Sequence, residues 1–371
     1  MSYSIVKYTP EYRDQVIALQ GHLWSPDLAW NTAYFEWKYE RCPYLDSPLI
    51  YLVLHEGKLV GMRGICGARW EMGETVDAFQ ALTAADLVIA PDHRNRGLFP
   101  MIMQAALEDL DRMGYRHLLN LSASPVTFVA SLATGWRSTG SLQGMSRRSR
   151  PTVWQKLEHR LSKTPFLWRY QSRVSQMRSQ RMLCALDRIT PKRPAGRVIV
   201  ESSARPEAMA ELVQRIGGDG RIRHVRDAQY LAWRYKNPSC RYRFLFWYDT
   251  GLEGFLVLEQ PASVYAKRRR ISIVDWEGTN QEVRSDLLRV VLAEASLEEL
   301  FVWGGAFSGP QRDLLTQTGF APAFEPGRMS RHRPCVLVRC VRDEDLNKEW
   351  RVGGLPLADL SSWDLRQLYS L

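Results

Sequence analysis

The densest concentration of chemically useful side chains is Asp92, His93, Arg94, Asn95, Arg96, Gly97 and Leu98, set between Pro91 and Phe99. Two arginines and a glycine immediately before a helix start are what an anion needs. The first turn of a helix leaves backbone N–H groups unpaired, and the helix dipole favours negative charge there. Gly97 permits backbone dihedrals and a close approach that a side chain would block, while Arg94 and Arg96 add positive charge. The turn suits a pyrophosphate or a comparable anion; the other reading is a solvated surface loop. It is neither of two familiar nucleotide loops, since GxxxxGK(S/T) and GxGxxG are both missing from the sequence.

The elements around this turn must hold it in place. Residues 86–90 read as a short strand and 99–113 as an amphipathic helix opened by Pro100, with a further strand over 117–122. Strand, basic turn, helix and strand make a β-α-β unit. A wider pattern repeats. YFEWKYERCP (34–43) and YLAWRYKNP (230–238) share the form Y-x-x-W-(K/R)-Y, and each precedes a strand-turn-strand sequence. ATGW (133–136) and QTGF (317–320) form a second echo in the same order. Two similar α+β units account for both echoes. Aromatic residues one turn apart on a helix anchor it to a sheet, the scaffold reading; the alternative gives Tyr34, Trp37 or Tyr39 a place in a ligand pocket.

At 371 residues with 45% hydrophobic content, the chain has material for more than one core, so full disorder is excluded. The formal charge is +10, and it is concentrated. Residues 147–197 hold fourteen Lys or Arg and two acids, a local charge of +12, so the flanks together carry about −2. The segment opens with RRSRP and closes with TPKRP, and its apolar spacing predicts two amphipathic helices broken near Pro165. This insert is expected to pack as a helical linker or to meet an anionic surface. The six cysteines are scattered without a CxxC pair, which reads as reduced thiols, and no metal site is visible. Eighteen consecutive apolar residues occur nowhere, so no transmembrane helix is expected.

APDHRNRGLF (90–99) resembles the pyrophosphate-binding motif of the GNAT acyltransferase superfamily, whose core is (Q/R)-x-x-G-x-(G/A). Arg94, Asn95, Arg96, Gly97 and Leu98 fit it, and Phe99 stands at the usual small-residue position. The following helix, the strand containing Asn120 and the ending SPVTFVASLATGW (124–136) are similar to that superfamily's order. The resemblance implies an α+β fold of tandem GNAT-like domains, each a mixed, mostly antiparallel twisted sheet flanked by helices. The expected division is 1–146, a basic helical insert over 147–197, and a second domain over 198–371. That second domain lacks the turn, because GTNQEV offers Gly278 without arginines and places Glu277 and Glu282 beside it.

The resemblance further implies an acyl donor, acetyl-CoA or a longer acyl-CoA, with no metal. Val88 and Ala90 are expected to offer backbone hydrogen bonds to pantetheine, and Arg94 through Phe99 to surround the pyrophosphate. Transfer to an amine needs a proton acceptor and a donor for the departing thiol. Asp86 is the first candidate for the acceptor, ahead of Glu71, Glu74 and Asp77. Ser131 occupies the position where many members carry a donor tyrosine. The expected acceptor is an amine-bearing small molecule or biosynthetic intermediate, in a cytoplasmic protein peripheral, if attached at all, to the inner face of a membrane. The alternatives are an aminoacyl-tRNA- or acyl-carrier-protein-dependent transferase and a non-catalytic scaffold. An acidic carrier protein or anionic membrane would dock on the basic insert, and no specific nucleic acid is expected.

Overall fold

The computed structural model describes residues 2–72, 77–148, 186–189, 197–262, 270–293, 299–304, 307–323, 335–342 and 350–369. Nearly all of the basic segment 147–197, with both of its predicted helices, lies outside the described residues. The chain forms two units. One comprises Met1–Leu142, Gly217–Pro238 and Met329–Leu371; the other comprises Gln143–Ile216 and Ser239–Arg328. Both halves of the sequence therefore contribute to the first unit, and the path does not break simply at 146 and 198.

The first unit is built on a seven-stranded sheet of β1 (Tyr3–Lys7), β2 (Leu49–His55), β3 (Lys58–Cys66), β6 (Leu82–Ile89), β7 (His117–Ala123), β17 (Cys335–Cys340) and β8 (Arg137–Ser141), in that spatial order. Its β6–β7 pair is parallel and its other pairs antiparallel. The helices α1 (Arg13–Gln20), α2 (Leu28–Phe35), α3 (Leu98–Arg112) and α4 (Pro125–Leu132) accompany it. A core of Leu49, Val53, Ile65, Leu82 and Leu118 packs against Ile102, Ala106 and Leu110 from α3. That contact follows from the apolar period of the helix, which turns one stripe onto the sheet. A smaller sheet joins β4 (Arg69–Met72), β5 (Asp77–Gln80), β11 (Ile222–His224) and β20 (Trp363–Asp364).

The second unit repeats the plan. Its sheet runs β10 (Val198–Glu201), β12 (Cys240–Tyr248), β13 (Leu252–Pro261), β14 (Ile271–Gly278), β15 (Glu299–Val302), β9 (Met145–Arg148) and β16 (Ala321–Pro322). Again the fourth and fifth strands are parallel and the others antiparallel. Its helices are α5 (Pro206–Ile216), α7 (Gln281–Ala293) and α8 (Gly309–Gln317). Both sheets are thus mixed, mostly antiparallel and flanked by helices, the α+β architecture expected from the repeat. The sixth position is exchanged: β17, late in the chain, completes the first sheet, and β9, early in the chain, completes the second.

The aromatic echoes meet within the first unit. Trp37 Nε1 donates to the Trp233 carbonyl at 2.8 Å, and Trp233 Nε1 donates to the Trp37 carbonyl at 2.7 Å. Their rings stack at 4.9 Å. Trp233 belongs to α6 (Ala228–Arg234), whose N-cap Asp227 accepts from Tyr230 N–H. Asp27 caps α2 in the same way. The scaffold reading of these aromatics holds for the tryptophan pair.

Candidate active site

The parallel pairing of β6 with β7 is confined to Leu82–Leu118 and Thr83–Leu119. Beyond it, from Ala84 to Ile89, that edge of β6 has no strand partner among the described residues. The opposite edge stays paired with β3, Met62 opposite Val88 and Gly61 opposite Ile89. Ala90 N–H donates to the Val60 carbonyl at 2.8 Å. Strand alternation then turns the polar backbone groups of Val88 and Ala90 toward β3, and those of Leu87 and Ile89 toward the open edge. This corrects the backbone donors expected from sequence: the groups that face the gap are Leu87 and Ile89, because the register is set by β3. The Ile89 carbonyl already accepts from Arg94 Nε at 3.0 Å.

The loop that follows is a single 3₁₀ turn, Pro91–His93, and then a reversal with Asn95 at φ 59° and Gly97 at φ 71°. Gly97 is the N-cap of α3 and carries no side-chain cap, so the N–H groups at the helix start are left for an outside acceptor. A Cβ built on Gly97 would meet nothing within 4 Å. Arg94, Asn95 and Arg96 are exposed, while Leu98 is buried and Phe99 half-buried against the sheet core. Arg96 Nη1 donates to the Tyr3 hydroxyl at 3.2 Å, and that hydroxyl shares a 3.0 Å hydrogen bond with His93 Nδ1. The predicted group Arg94 to Phe99 is therefore gathered at one helix start, with positive charge beside uncapped backbone N–H groups. The equivalent connection in the second unit is only two residues long, 279–280 between β14 and α7, against eight in the first, 90–97.

Asp86 lies in a different setting from the one expected of a proton acceptor. Its carboxylate is buried and accepts from Lys38 Nζ at 2.8 Å, Tyr39 Oη at 3.0 Å and Gln20 Nε2 at 3.0 Å. Both carboxylate oxygens are thus engaged by buried side chains of the first unit. Its evident role is to hold those three side chains. Lys38, in turn, donates to Tyr34 Oη at 3.0 Å. The chain buries Trp37, Lys38 and Tyr39 in succession because α2 widens into a π turn over Glu36–Glu40, with Arg41 N–H bonded to the Glu36 carbonyl. Tyr39 reaches the sheet only because residue 64 is glycine, since a Cβ there would lie 2.0 Å from its hydroxyl.

Burial opposes the Lys38 charge, yet the Asp86 carboxylate outweighs it and holds the ammonium well above the usual lysine value. Burial and the neighbouring Asp86 push the Tyr39 hydroxyl up, so it stays protonated. Ser131 is buried on α4, and its carbonyl accepts the Trp136 N–H at 3.2 Å. Glu71 is engaged by Arg223, while Glu74 lies outside the described residues. Lys38, Gln20 and Arg63 escaped the sequence reading. The available signal was a lone cation inside an apolar run, YFEWKY for Lys38 and LVGMRGIC for Arg63. Among the described residues, no group of three metal-ligating side chains comes together and no helix is long and apolar enough to cross a membrane.

Residues 13–127 match the acetyltransferase (GNAT) family. That span holds β6, the loop and all of α3. No curated protein matches the chain by sequence. Among solved structures, the chain is similar to a probable N-acyltransferase of unknown function from Enterococcus faecalis, with TM-score 0.59, 13% identity, and coverage of 92% of this chain and 73% of that one. A GCN5-related N-acetyltransferase from Anabaena variabilis gives TM-score 0.56 at 12% identity, with the same coverage of 92% and 73%. A tandem GNAT protein from the clavulanic acid biosynthesis pathway gives 0.50 at 13%, covering 92% of this chain and 99% of that one. At these identities the likeness is one of fold, and it extends over both units.

Proposed function

We propose that the protein is an acyl-CoA-dependent N-acyltransferase that binds its donor in the first unit and transfers the acyl group to a primary amine of a small molecule. The observation that carries this reading is the unpaired start of α3 behind Gly97, beside the strand edge that β7 leaves open. Acyl-CoA supplies an activated carbonyl: a C–N bond forms to the amine, the C–S bond breaks, the nitrogen loses a proton and the sulfur gains one. Arg94, Arg96 and the N–H groups of Gly97, Leu98 and Phe99 hold the diphosphate. The backbone of Leu87 and Ile89 lines the donor arm, which fixes the carbonyl and converts an encounter into a positioned reaction. Ser131 is the proposed proton donor to the leaving sulfur. Asp86 is engaged by Lys38, Tyr39 and Gln20, so in this reading the amine arrives neutral or sheds its proton to water.

Calorimetry with acetyl-CoA tests the donor site. Arg96→Ala should weaken binding about tenfold or more, the worth of one charge-assisted hydrogen bond, and Gly97→Glu should abolish it. A screen of amines read by thiol release tests the transfer, with Ser131→Ala expected to slow turnover while leaving acetyl-CoA affinity unchanged. Folded protein that binds no acyl-CoA would rule the reading out.

A further inference from the structure

Among the described residues of the first unit, several buried arginines have clear partners. Arg234 Nε donates to the Leu368 carbonyl at 2.7 Å. Arg339 donates to the Thr134 and Cys340 carbonyls at 3.2 and 2.7 Å, and Arg366 pairs with Asp364 at 3.0 Å. Arg63 is only 2% exposed, and its Nε and Nη2 are enclosed yet meet no acceptor among the described residues.

The charge count agrees with the hydrogen bonds. Tyr39, Asp86 and Cys66 are the groups whose charge bears on Arg63. Asp86 is already bound to Lys38, Tyr39 and Gln20, and burial keeps the Tyr39 hydroxyl protonated. Hydrogen bonding to Cys42 and burial likewise keep the Cys66 thiol protonated. Burial draws Arg63 down to about 10, which still leaves it a cation at neutral pH. Two buried cations thus share one buried carboxylate, an arrangement that is costly unless a further anion arrives.

The two unpaired donors form one edge of the guanidinium. That edge presents parallel N–H groups, the geometry that a carboxylate accepts with both oxygens. Arg63 lies on β3 directly opposite Leu87, on the stretch of β6 that borders the open edge. Beside Asp86, Gln20 Oε1 is enclosed and meets no donor among the described residues, while its Nε2 is spent on that carboxylate.

We propose that Arg63 is a specificity residue that receives a carboxylate during the transfer reaction, so that one substrate of this site is a carboxylate-bearing molecule. This rests on the reading that acyl transfer takes place along β6. The carboxylate can come from the acyl chain, as in a dicarboxylic acyl-CoA, or from an amino-acid-like acceptor.

Two comparisons separate these sources. Calorimetry sets succinyl-CoA against butyryl-CoA, whose acyl chains match in carbon number and differ in the terminal carboxylate. Thiol release from acetyl-CoA sets each L-amino acid against its decarboxylated amine. One comparison should favour the carboxylate by about 30-fold or more, and that comparison names the source. Arg63→Met should erase the preference with acetyl-CoA affinity unchanged; should that variant not fold, Arg63→Lys should cut the preference about tenfold by removing the planar fork. No preference in either comparison, or a preference that survives substitution of Arg63, overturns the proposal. If acetyl-CoA itself does not bind, acyl transfer falls separately. The carboxylate subsite is then judged by whether succinate raises the melting temperature of the wild type and not of the Arg63 variants.

Discussion

Lys38 keeps its charge in surroundings that ordinarily strip a lysine of its proton. Its ammonium is held above the usual value, so the stability it lends is complete below the unfolded lysine pKa and is lost only as pH rises through the folded one. The pair is therefore insensitive to pH across the neutral range and sensitive to substitution. Asp86→Ala should cost about 3–5 kcal/mol in urea unfolding, because it strands a buried cation. Adding Lys38→Met to that variant should recover only part of the loss, because Arg63, Tyr39 and Gln20 still lack the carboxylate. His224 behaves in the opposite sense. Enclosed by Tyr230 at 4.2 Å, Tyr369 at 5.0 Å and Trp70 at 5.1 Å, it is pushed by burial down to about 3. Between that value and the unfolded histidine pKa of about 6.5 the unfolded chain binds the extra proton. Stability should then fall with decreasing pH through this window, by up to about 1.4 kcal/mol per unit. Urea midpoints measured from pH 7 to 4 check it, and His224→Phe should remove that contribution to the slope.

Two glycines show how the same substitution acts differently in different elements. Gly97 sits at φ 71° with open space around it, so Gly97→Ala strains only the backbone, by about 1–2 kcal/mol. Gly64 lies in β3 beneath the Tyr39 hydroxyl. Gly64→Ala must displace Tyr39 from Asp86 and should cost about 1–3 kcal/mol, the usual range for overpacking. Thermal and urea unfolding of the two variants check both values. The elements around Gly97 were legible in the sequence because their signals are local. The predicted strand 86–90, helix 99–113 and strand 117–122 correspond to Leu82–Ile89, Leu98–Arg112 and His117–Ala123. What escaped was set by partners distant in the chain. The direction of the Ala90 amide depends on Val60, and the work of Asp86 depends on Gln20 and Lys38. A π turn that buries three successive residues also defeats the helical periodicity on which such reading relies.

The two sheets share one strand order and one parallel step, which is the strongest mark of duplication in the molecule. The echo of YFEWKY and YLAWRY made that repeat visible in the sequence. The exchange of β9 and β17 was not visible, since neither strand differs in composition from an ordinary edge or inner strand. It has a direct test. A chain ending at 146 lacks β17 and the segment Gly217–Pro238, and so leaves β7 and β8 without the strand that joins them. Such a fragment should unfold without a cooperative transition by circular dichroism, whereas the full chain should show one. The exchange also governs the order of events on the ribosome. After β7 ends at Ala123, the 211 residues from 124 to 334 must be made before Cys335 begins β17. At the pace of translation that interval lasts about 10–40 s. Throughout it the nascent first sheet exposes an unsatisfied edge, so this protein must finish its beginning with its end, under the care of whatever shields emerging chains from one another.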